Sequence, residues 1–422
     1  MLLRFGVTNH RSLRDRQELS LVASSLDDDA SGLMTCRHVP GHRVLPAVVI
    51  YGANASGKSN LVHAIRWMRS AVLQSQTQGE PGGSVSQEPF LLDPTFGSMP
   101  SQFEIDFVID NVRYHYAFKA TASAFTAEWL FAFPNERRQM LFERDGMQFK
   151  FSRNLKGRNH IISELTRTNS LFLSAAAQNG HEELGKLSRY FRNIAAAREV
   201  LLHESPPDIE GNAINTKIIQ FLKAAGTGVV DYRIIDRDPS QKHLEIQAKV
   251  RVLLSKFITE SEDFLKFRYK ATSIELAHQS TGAEPVYFEL GLESEGTRRL
   301  LRLLGPVFRA LEDGAVMVVD ELDASLHTHA CELVIALFSS PGTNPNGAQL
   351  IATTHDTNLL SSAHLRRDQV WLTEKDPAGA THLYPLTDFR TRKDDNLERG
   401  YLQGRYGAIP FSGRPSDLLA TL

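Results

Sequence analysis

Cysteine is nearly absent from this sequence, which has only Cys36 and Cys331 among 422 residues. The two form no CxxC motif and no Cys/His cluster, so neither a structural zinc site nor a disulfide is expected. No apolar run approaches the roughly 20 residues that cross a membrane, and the first residues are too short a hydrophobic run for a signal peptide. These absences predict a soluble protein of the reducing cytoplasm with no membrane partner.

An excess of charge is missing as well, because 47 basic residues face 49 acidic ones. The overall charge therefore indicates neither a nucleic-acid nor a membrane partner, although it leaves room for a local basic patch. Sustained heptads and internal repeats are also absent, which excludes long coiled-coil arms. The length is sufficient for a sizeable core with one inserted subdomain.

The most informative motif is a glycine-rich run between a predicted strand and a predicted helix. Residues 52–59, Gly-Ala-Asn-Ala-Ser-Gly-Lys-Ser, match the pattern G-x-x-x-x-G-K-[ST]. In such a loop the glycines let backbone N–H groups approach phosphate oxygens, lysine neutralises β/γ charge and serine can ligate Mg²⁺. The sequence therefore predicts an ATP site with Mg²⁺ as cofactor, in which Lys58 also acts in catalysis. Its predicted nucleotide-binding residues are Gly52, Asn54, Ala55, Ser56, Gly57, Lys58, Ser59 and Asn60.

Two carboxylates follow an apolar run at residues 316–319. Asp320 is the predicted magnesium ligand together with Ser59. Glu321 is the predicted catalytic base, because such a base has to lie near the γ-phosphate without being bound to the metal. The alternative is a buried strand that merely ends in a surface acid pair.

His355 follows a further apolar strand, residues 349–353. A histidine at a strand end near the phosphates can sense the γ-phosphate, although a lone histidine is more often structural. A helix is predicted to start at Ser294, and two interpretations of that start remain open. Ser294 is either only an N-cap, or it forms a phosphate site with Gly296 and Thr297 through its hydroxyl and unobstructed amides.

Local patterns predict several further elements. Alternating apolar residues predict a hairpin that turns at Asp110-Asn111 and another that turns at Asp145-Gly146. Residues 74–83 show no periodic spacing of apolar residues and are interpreted as a surface loop. Residues 164–262 are predicted to be mostly helical.

The order of these motifs resembles that of the ABC-type ATPases, and in particular their SMC, RecF and OLD branch. The opening residues 5–12, the ESEGTRR form of the signature and the DELDASLH run favour this branch over transporters. The closing residues 401–410 resemble those of stand-alone OLD-like AAA-family ATPases from bacterial anti-phage systems, both abortive-infection and restriction-linked.

The resemblance implies an α/β fold with an ABC-type P-loop core, in which a mixed sheet is flanked by helices and joined by an antiparallel β-subdomain. It predicts an N-terminal ATPase lobe (1–163), an inserted, mostly helical lobe (164–270) and a C-terminal ATPase lobe (271–422). The resemblance also implies a homodimer or higher homo-oligomer around ATP, with Ser294 and Gly296 acting in trans. Gln87 would be the family's metal-contacting glutamine, with Gln102 as its rival or with neither in that role.

The functional hypothesis is an ATP-hydrolysing switch that senses or gates a separate effector protein, a nuclease or toxin, in anti-phage defence. The chain after His355 is too short for the metal nuclease domain of OLD proteins, and its acids, Glu374, Asp376, Asp394 and Asp395, are interpreted as loop and charged tail. The alternative is a DNA repair or recombination ATPase that clamps DNA. Its candidate phosphate contacts are Arg137-Arg138, residues 153–158 and Arg366-Arg367.

Overall fold

The computed structural model describes residues 1–196, 209–210, 213–237, 271–361, 364–393 and 395–409. Its contacts divide the chain into two compact units. The first unit comprises Met1–Leu202 and Pro306–Leu422, and the second comprises His203–Gly305.

The strands, in chain order, are β1 (Leu2–Thr8), β2 (Gln17–Ser20), β3 (Met34–Thr35), β4 (Arg43–Val44), β5 (Ala47–Gly52), β6 (Ser101–Ile109), β7 (Val112–Ala120), β8 (Phe125–Phe133), β9 (Gln139–Asp145), β10 (Gln148–Phe151), β11 (Ile194–Ala196), β12 (Ile209–Glu210), β13 (Ala213–Ile214), β14 (Val229–Arg237), β15 (Ala271–His278), β16 (Val286–Glu289), β17 (Val316–Val319), β18 (Gln349–Thr353), β19 (Val370–Lys375) and β20 (Thr381–Pro385). The helices are α1 (Lys58–Gln78), α2 (Pro94–Gly97), α3 (Asn159–Leu165), α4 (Phe172–Gln178), α5 (Glu182–Arg192), α6 (Thr216–Ala224), α7 (Glu295–Asp313), α8 (Thr328–Ser339) and α9 (Leu397–Leu402).

A six-stranded, mostly parallel sheet in the first unit has the order β11-β17-β18-β5-β19-β20. Strands β5, β17 and β18 are buried along their whole length, as expected for central parallel strands with continuous apolar runs. Because these three strands are parallel, their carboxyl ends meet at one edge of the sheet. That edge carries the glycine-rich loop, the Asp320-Glu321 pair and His355.

The second sheet of this unit is antiparallel, with the order β10-β9-β8-β7-β6-β1-β2. Alternate residues of β6 are buried, and Phe103 stacks on Trp67 of α1 with ring centroids 4.5 Å apart. The β6–β7 turn holds Asp110 and Asn111 in the left-handed conformation that a two-residue hairpin requires. The second predicted hairpin is formed by β9 and β10. The predicted mixed α/β fold, with a parallel core sheet and an antiparallel β-subdomain, is confirmed.

The predicted boundary of the inserted lobe at residue 164 disagrees with the positions of helices α3, α4 and α5. The apolar faces of α4 and α5 bury Phe172, Leu184, Leu187 and Phe191 in the same core as α1 and the antiparallel sheet. These helices therefore belong to the first unit rather than to an inserted lobe. Helix α1 also continues to Gln78, so the predicted loop at 74–83 begins only after that residue.

The helical prediction for residues 164–262 is wrong at β14. This segment is rich in β-branched and aromatic residues, and it pairs with β15 in the three-stranded antiparallel sheet β14-β15-β16 of the second unit. Helix α6 agrees with the prediction, whereas residues 197–208, 211–212 and 238–270 of the predicted lobe lie outside the described residues. The second unit ends within α7, which begins at Glu295. Among the helices of the described ranges, none has the length and apolar character that a membrane span requires.

Candidate nucleotide-binding site

The glycine-rich loop joins the end of β5 at Gly52 to the start of α1 at Lys58. Gly57 is left-handed, with φ 109°, and a Cβ atom there would collide with the side chain of Thr381. A Cβ atom at Gly52 would collide with Thr373 in the same way. Both positions therefore require glycine, and the loop between them leads into the start of a 21-residue helix, where backbone N–H groups favour an anion.

Lys58 is buried, with 6% of its surface exposed. Its ammonium donates hydrogen bonds to the carbonyl oxygens of Gly52 at 2.7 Å and of Ala53 at 3.1 Å. Burial lowers the pKa of Lys58 to about 8, although nearby carboxylates, Asp320 foremost, oppose this shift. A cation held only by loop carbonyls is suited to exchanging them for phosphate oxygens, which restore its charged form.

Ser59 and Asp320 lie together, since the serine hydroxyl donates to the carboxylate of Asp320 at 3.2 Å. Hard oxygen donors of this kind fit Mg²⁺, which keeps few protein ligands and completes its octahedron with phosphate and water. Across the part of the chain that the structure describes, no group of three or more His, Cys, Asp or Glu residues forms an all-protein metal cage. The donor set therefore fits a nucleotide-bound magnesium ion.

Thr353, at the end of β18, is a site residue that sequence analysis missed. Its fully buried hydroxyl donates to the same Asp320 carboxylate at 2.7 Å and accepts the Glu321 backbone N–H, also at 2.7 Å. Glu321 has left-handed backbone, with φ 54°, a conformation that costs a non-glycine residue about 1–3 kcal/mol. The threonine hydroxyl thus holds both the predicted metal ligand and the predicted base.

His355 lies just beyond the same strand end. Its backbone N–H donates to both carboxylate oxygens of Asp323 at 3.2 Å. The adjacent Leu322 N–H donates to the carbonyl oxygen of Thr353 at 2.8 Å. The turn after Glu321 is therefore fastened to the end of β18, and the γ-phosphate-sensing role of the exposed His355 stays a prediction.

Hydroxyl groups from distant strands clamp the glycine-rich loop. The Thr381 hydroxyl donates to the Ser56 carbonyl oxygen at 2.8 Å, and the hydroxyls of Ser56 and Thr373 are 2.6 Å apart. Asn60, a predicted nucleotide contact, instead donates its side-chain amide to the Ser12 hydroxyl at 2.6 Å. Asn54 and Ala55 remain exposed at the tip of the loop.

Gln87, the predicted metal-contacting glutamine, donates its amide to the Met99 carbonyl oxygen at 2.8 Å and to the Ser101 hydroxyl at 3.1 Å. Its rival Gln102 lies within β6, between Thr8 and Lys119 in the register. A metal contact through either glutamine stays a prediction.

The helix start at Ser294 has the geometry of an N-cap. Its hydroxyl accepts the Thr297 backbone N–H at 3.1 Å and lies 2.9 Å from the Thr297 hydroxyl. Ser294 is exposed, and Gly296 lies in the first turn of α7. The capping role is therefore observed, whereas the phosphate role of Ser294, Gly296 and Thr297 stays a prediction.

The acids after His355, interpreted from the sequence as loop and charged tail, lie only partly in such segments. Glu374 lies in β19 opposite His382 rather than in a loop, and its carboxylate accepts the Ala408 N–H at 3.3 Å. Asp376 lies in the β19–β20 turn, where it accepts the Ala380 N–H at 2.8 Å. Asp394 lies outside the described residues.

The interpretation of Arg366-Arg367 as phosphate contacts is wrong. Both side chains are less than one-tenth exposed. Arg366 pairs with Asp368 at 2.9 Å, and Arg367 pairs with Asp28 at 2.7 Å. The acidic partner of Arg367 is far away in sequence, and the Arg366 guanidinium also donates to the carbonyl oxygens of Asp28 and Asp29, so sequence alone could not show that both arginines are buried.

This geometry defines a P-loop nucleotide-binding domain. Residues 47–361, more than half of the chain, match the protein family described as "AAA domain, putative AbiEii toxin, Type IV TA system". The chain therefore belongs to this AAA-domain family, and the family and the site together support a nucleotide-binding ATPase. Among solved structures, the SMC head domain from Thermotoga maritima is similar with 15% identity and a TM-score of 0.41, over 91% of this chain and 98% of that chain. No curated protein matches the sequence.

Proposed function

We propose that this protein is a Mg²⁺-dependent ATPase that hydrolyses ATP to ADP and phosphate and uses the bound nucleotide as a switch. The supporting observation is the convergence of Lys58, Asp320 and Glu321 at the carboxyl edge of one parallel sheet. Open parallel sheets bind ligands at this edge.

The loop amides and Lys58 would bind the β- and γ-phosphates, while Ser59 and Asp320 would hold the magnesium ion, which neutralises charge between these phosphates. Glu321, one residue further along the same turn, would orient and deprotonate the attacking water. Thr353 fixes the positions of Asp320 and Glu321 relative to each other, because its single hydroxyl contacts the Asp320 carboxylate and the Glu321 backbone N–H.

The substitution Glu321→Gln tests this assignment. It should preserve ATP binding and lower turnover by about a hundredfold or more, since it removes the base without removing volume. Phosphate release and nucleotide affinity are the two measurements. Glu182→Gln, at an exposed position of α5, is the matched control and should leave both unchanged. Undiminished turnover in the Glu321 variant would show that another group activates water.

We further propose that two copies close around ATP, with Ser294 and Gly296 of one protomer acting on the nucleotide of its partner. Support comes from the exposure of Ser294 at a helix start and from Leu292, which is 75% exposed just before it. Mixing inactive Lys58→Ala and Ser294→Arg proteins should restore part of the activity, because one composite site of the mixed dimer is intact. No recovery, with both variants folded, would contradict action in trans.

The cellular role proposed is control of a separate effector, a nuclease or toxin, in bacterial anti-phage defence. The description of the matched family, which names a toxin and a type IV TA system, supports this role. Gel filtration of the chain with the product of its neighbouring gene, with and without ATP, should show nucleotide-dependent assembly. Robust nuclease activity of the purified chain alone would contradict a separate effector.

A DNA repair or recombination ATPase is the second candidate. Exposed arginines such as Arg137, Arg138, Arg153 and Arg158 favour it, although Arg366 and Arg367 no longer do. DNA affinity that depends on salt and changes with ATP would favour this candidate over the first.

A further inference from the structure

A cavity of about 370 Å³ lies among three turns of the first unit. Its lining comes from residues 37–42, from β7 just after the β6–β7 turn, and from the β8–β9 connection around Glu136. Arg37, His38, His42 and Arg113 line the cavity, together with Phe133 and a single carboxylate, that of Glu136. The two arginines against one glutamate leave the lining with a surplus of positive charge in a protein whose overall charge is balanced.

The two guanidinium groups of this cavity are not neutralised. Among the residues that the structure describes, neither Arg37 nor Arg113 has a carboxylate within 4 Å. Arg113 instead lies over the Phe133 ring at 3.9 Å, and its buried Nε has no hydrogen-bond partner there. The buried arginines Arg144, Arg366 and Arg367, in contrast, each have an acidic partner. An unpaired buried donor is costly, so Arg113 has capacity for an acceptor from outside the chain.

His38 provides a second, independent indication of a ligand. Its side chain is nine-tenths buried, and Nε2 lies 2.8 Å from the carbonyl oxygen of Asn111. A carbonyl oxygen only accepts, so Nε2 carries the hydrogen, and the buried Nδ1 has no partner among the described residues. Arg37 donates to the same Asn111 oxygen at 3.3 Å, which places its guanidinium beside this ring. In this tautomer the unpartnered Nδ1 is an acceptor, which suits a hydroxyl group of a bound ligand.

We propose that this cavity binds a phosphate group, held by Arg37 and Arg113 beside His38. Guanidinium forks match the oxygens of phosphate, and the negative charge of phosphate offsets the positive charge that these two arginines leave over Glu136. The cavity adjoins β4, which precedes the amino end of β5, whereas the glycine-rich loop follows the carboxyl end of that strand. The six residues of β5 span roughly 20 Å, so the site is separate from the nucleotide site.

The phosphate can belong to a nucleic-acid backbone or to a free phosphorylated compound. Exposed Arg137 and Arg138 continue the basic surface beyond Glu136 and would meet further phosphates of a polymer. The proposal does not depend on ATP hydrolysis, because none of these side chains belongs to the nucleotide site.

The test uses the full chain without ATP and the double substitution Arg37→Gln/Arg113→Gln. The probes are labelled DNA and RNA, single- and double-stranded, in fluorescence anisotropy, and inorganic phosphate in calorimetry. We expect at least one probe to bind, and the double variant to lose about tenfold or more in affinity. For a nucleic acid, the slope of log K against log salt should fall by about one per arginine removed.

The matched control is Arg390→Gln, an exposed arginine outside the cavity, which should change affinity less than about twofold. Arg113→Lys, which keeps the charge and loses the fork, should be intermediate. If inorganic phosphate binds and the double variant weakens its binding, the ligand is a free phosphorylated compound. If only DNA or RNA binds, the ligand is a nucleic-acid backbone. Failure of every probe to bind wild type, or equal binding by wild type and the folded double variant, would overturn the proposal. ATP turnover should be unchanged in the double variant, which separates this test from that of Glu321.

Discussion

The carboxyl edge of the parallel sheet and the interior of the antiparallel sheet are built in opposite ways. The edge contains a buried lysine and strained backbone at Ala55 and Glu321, both with positive φ. The antiparallel sheet is filled by aromatic side chains, among which Tyr116 and Phe118 are fully buried. Its buried ion pair, Glu128 with Arg144, has several hydrogen-bond partners.

The difference shows which region stabilises the fold and which region contains features that lower its stability. Apolar and aromatic burial in the antiparallel sheet stabilises the first unit. The edge contains a cation with a lowered pKa and residues with left-handed backbone. Both features lower stability, and both prepare the edge to bind phosphate. Substitutions should therefore act mainly on unfolding in one region and mainly on nucleotide chemistry in the other.

The largest effect is expected for Glu128→Ala. Glu128 accepts the backbone N–H groups of Phe172 and Leu173 at 2.6 and 2.9 Å, and lies 3.7 Å from the Arg144 guanidinium. Its removal leaves a buried charge and three buried donors unpaired, the third being the Tyr116 hydroxyl, so the free energy of unfolding should fall by about 3–5 kcal/mol. Urea denaturation measures this change. ATP affinity of the folded fraction should be unchanged.

Glu143→Ala is the matched control for this prediction. Glu143 lies beside Arg144 on β9, is half-buried and has no ion pair within the described ranges. Its loss should change stability by less than about 0.5 kcal/mol. Equal destabilisation by both variants would show that the buried pair has no special role in this sheet.

An intermediate effect is expected for Thr353→Val, which keeps the shape of the side chain and removes its hydroxyl. Asp320 and the Glu321 backbone would each lose a partner, and kcat should fall about tenfold to a hundredfold, or about 1.4–2.8 kcal/mol. KM for ATP should change much less, and more Mg²⁺ should be needed for half-maximal activity. Thr353→Ser should recover most of the loss. An unaltered kcat in the valine variant would contradict the positioning role.

The smallest effect concerns the pH dependence of ATP affinity. The pKa of Lys58 is lowered to about 8, chiefly by burial, so its charge is lost as pH rises through that value. Bound phosphate favours the protonated form, and affinity should therefore fall about tenfold, or about 1.4 kcal/mol, between pH 7 and pH 9. Calorimetry in buffers of different ionisation enthalpy should show proton uptake on binding at pH 8.5. Lys58→Arg, always charged, should lack this dependence.

The same lysine also affects folding. Its pKa is lower in the folded protein than its ordinary value of 10.5, so the unfolded chain binds more protons between about pH 8 and 10.5. The burial of Lys58 therefore destabilises the fold below pH 8, and this contribution diminishes as pH rises through the window. ATP should remove the penalty by pairing the charge.

Local sequence patterns determined those parts of the fold that depend on near neighbours. The apolar strand before Gly52, the helix from Lys58 and the turn at Asp110-Asn111 all follow from residues within a few positions. Where local pattern and tertiary pairing compete, the prediction was wrong, as at β14, which pairs with a strand more than thirty residues away.

By itself, the sequence determined the strand-loop-helix around the glycine-rich motif, because periodicity and glycine placement act over short distances, and the order of its motifs implied the mixed α/β class through a family resemblance. Only the tertiary structure decided that Thr353, Thr373 and Thr381 hold the site, that Arg366 and Arg367 are buried ion pairs, and that Arg37, His38 and Arg113 share a cavity. The Ser56–Thr373 contact joins residues 317 positions apart. Such contacts depend on which strands become neighbours. The local sequence around a residue contains no information about a partner that is so distant in the chain.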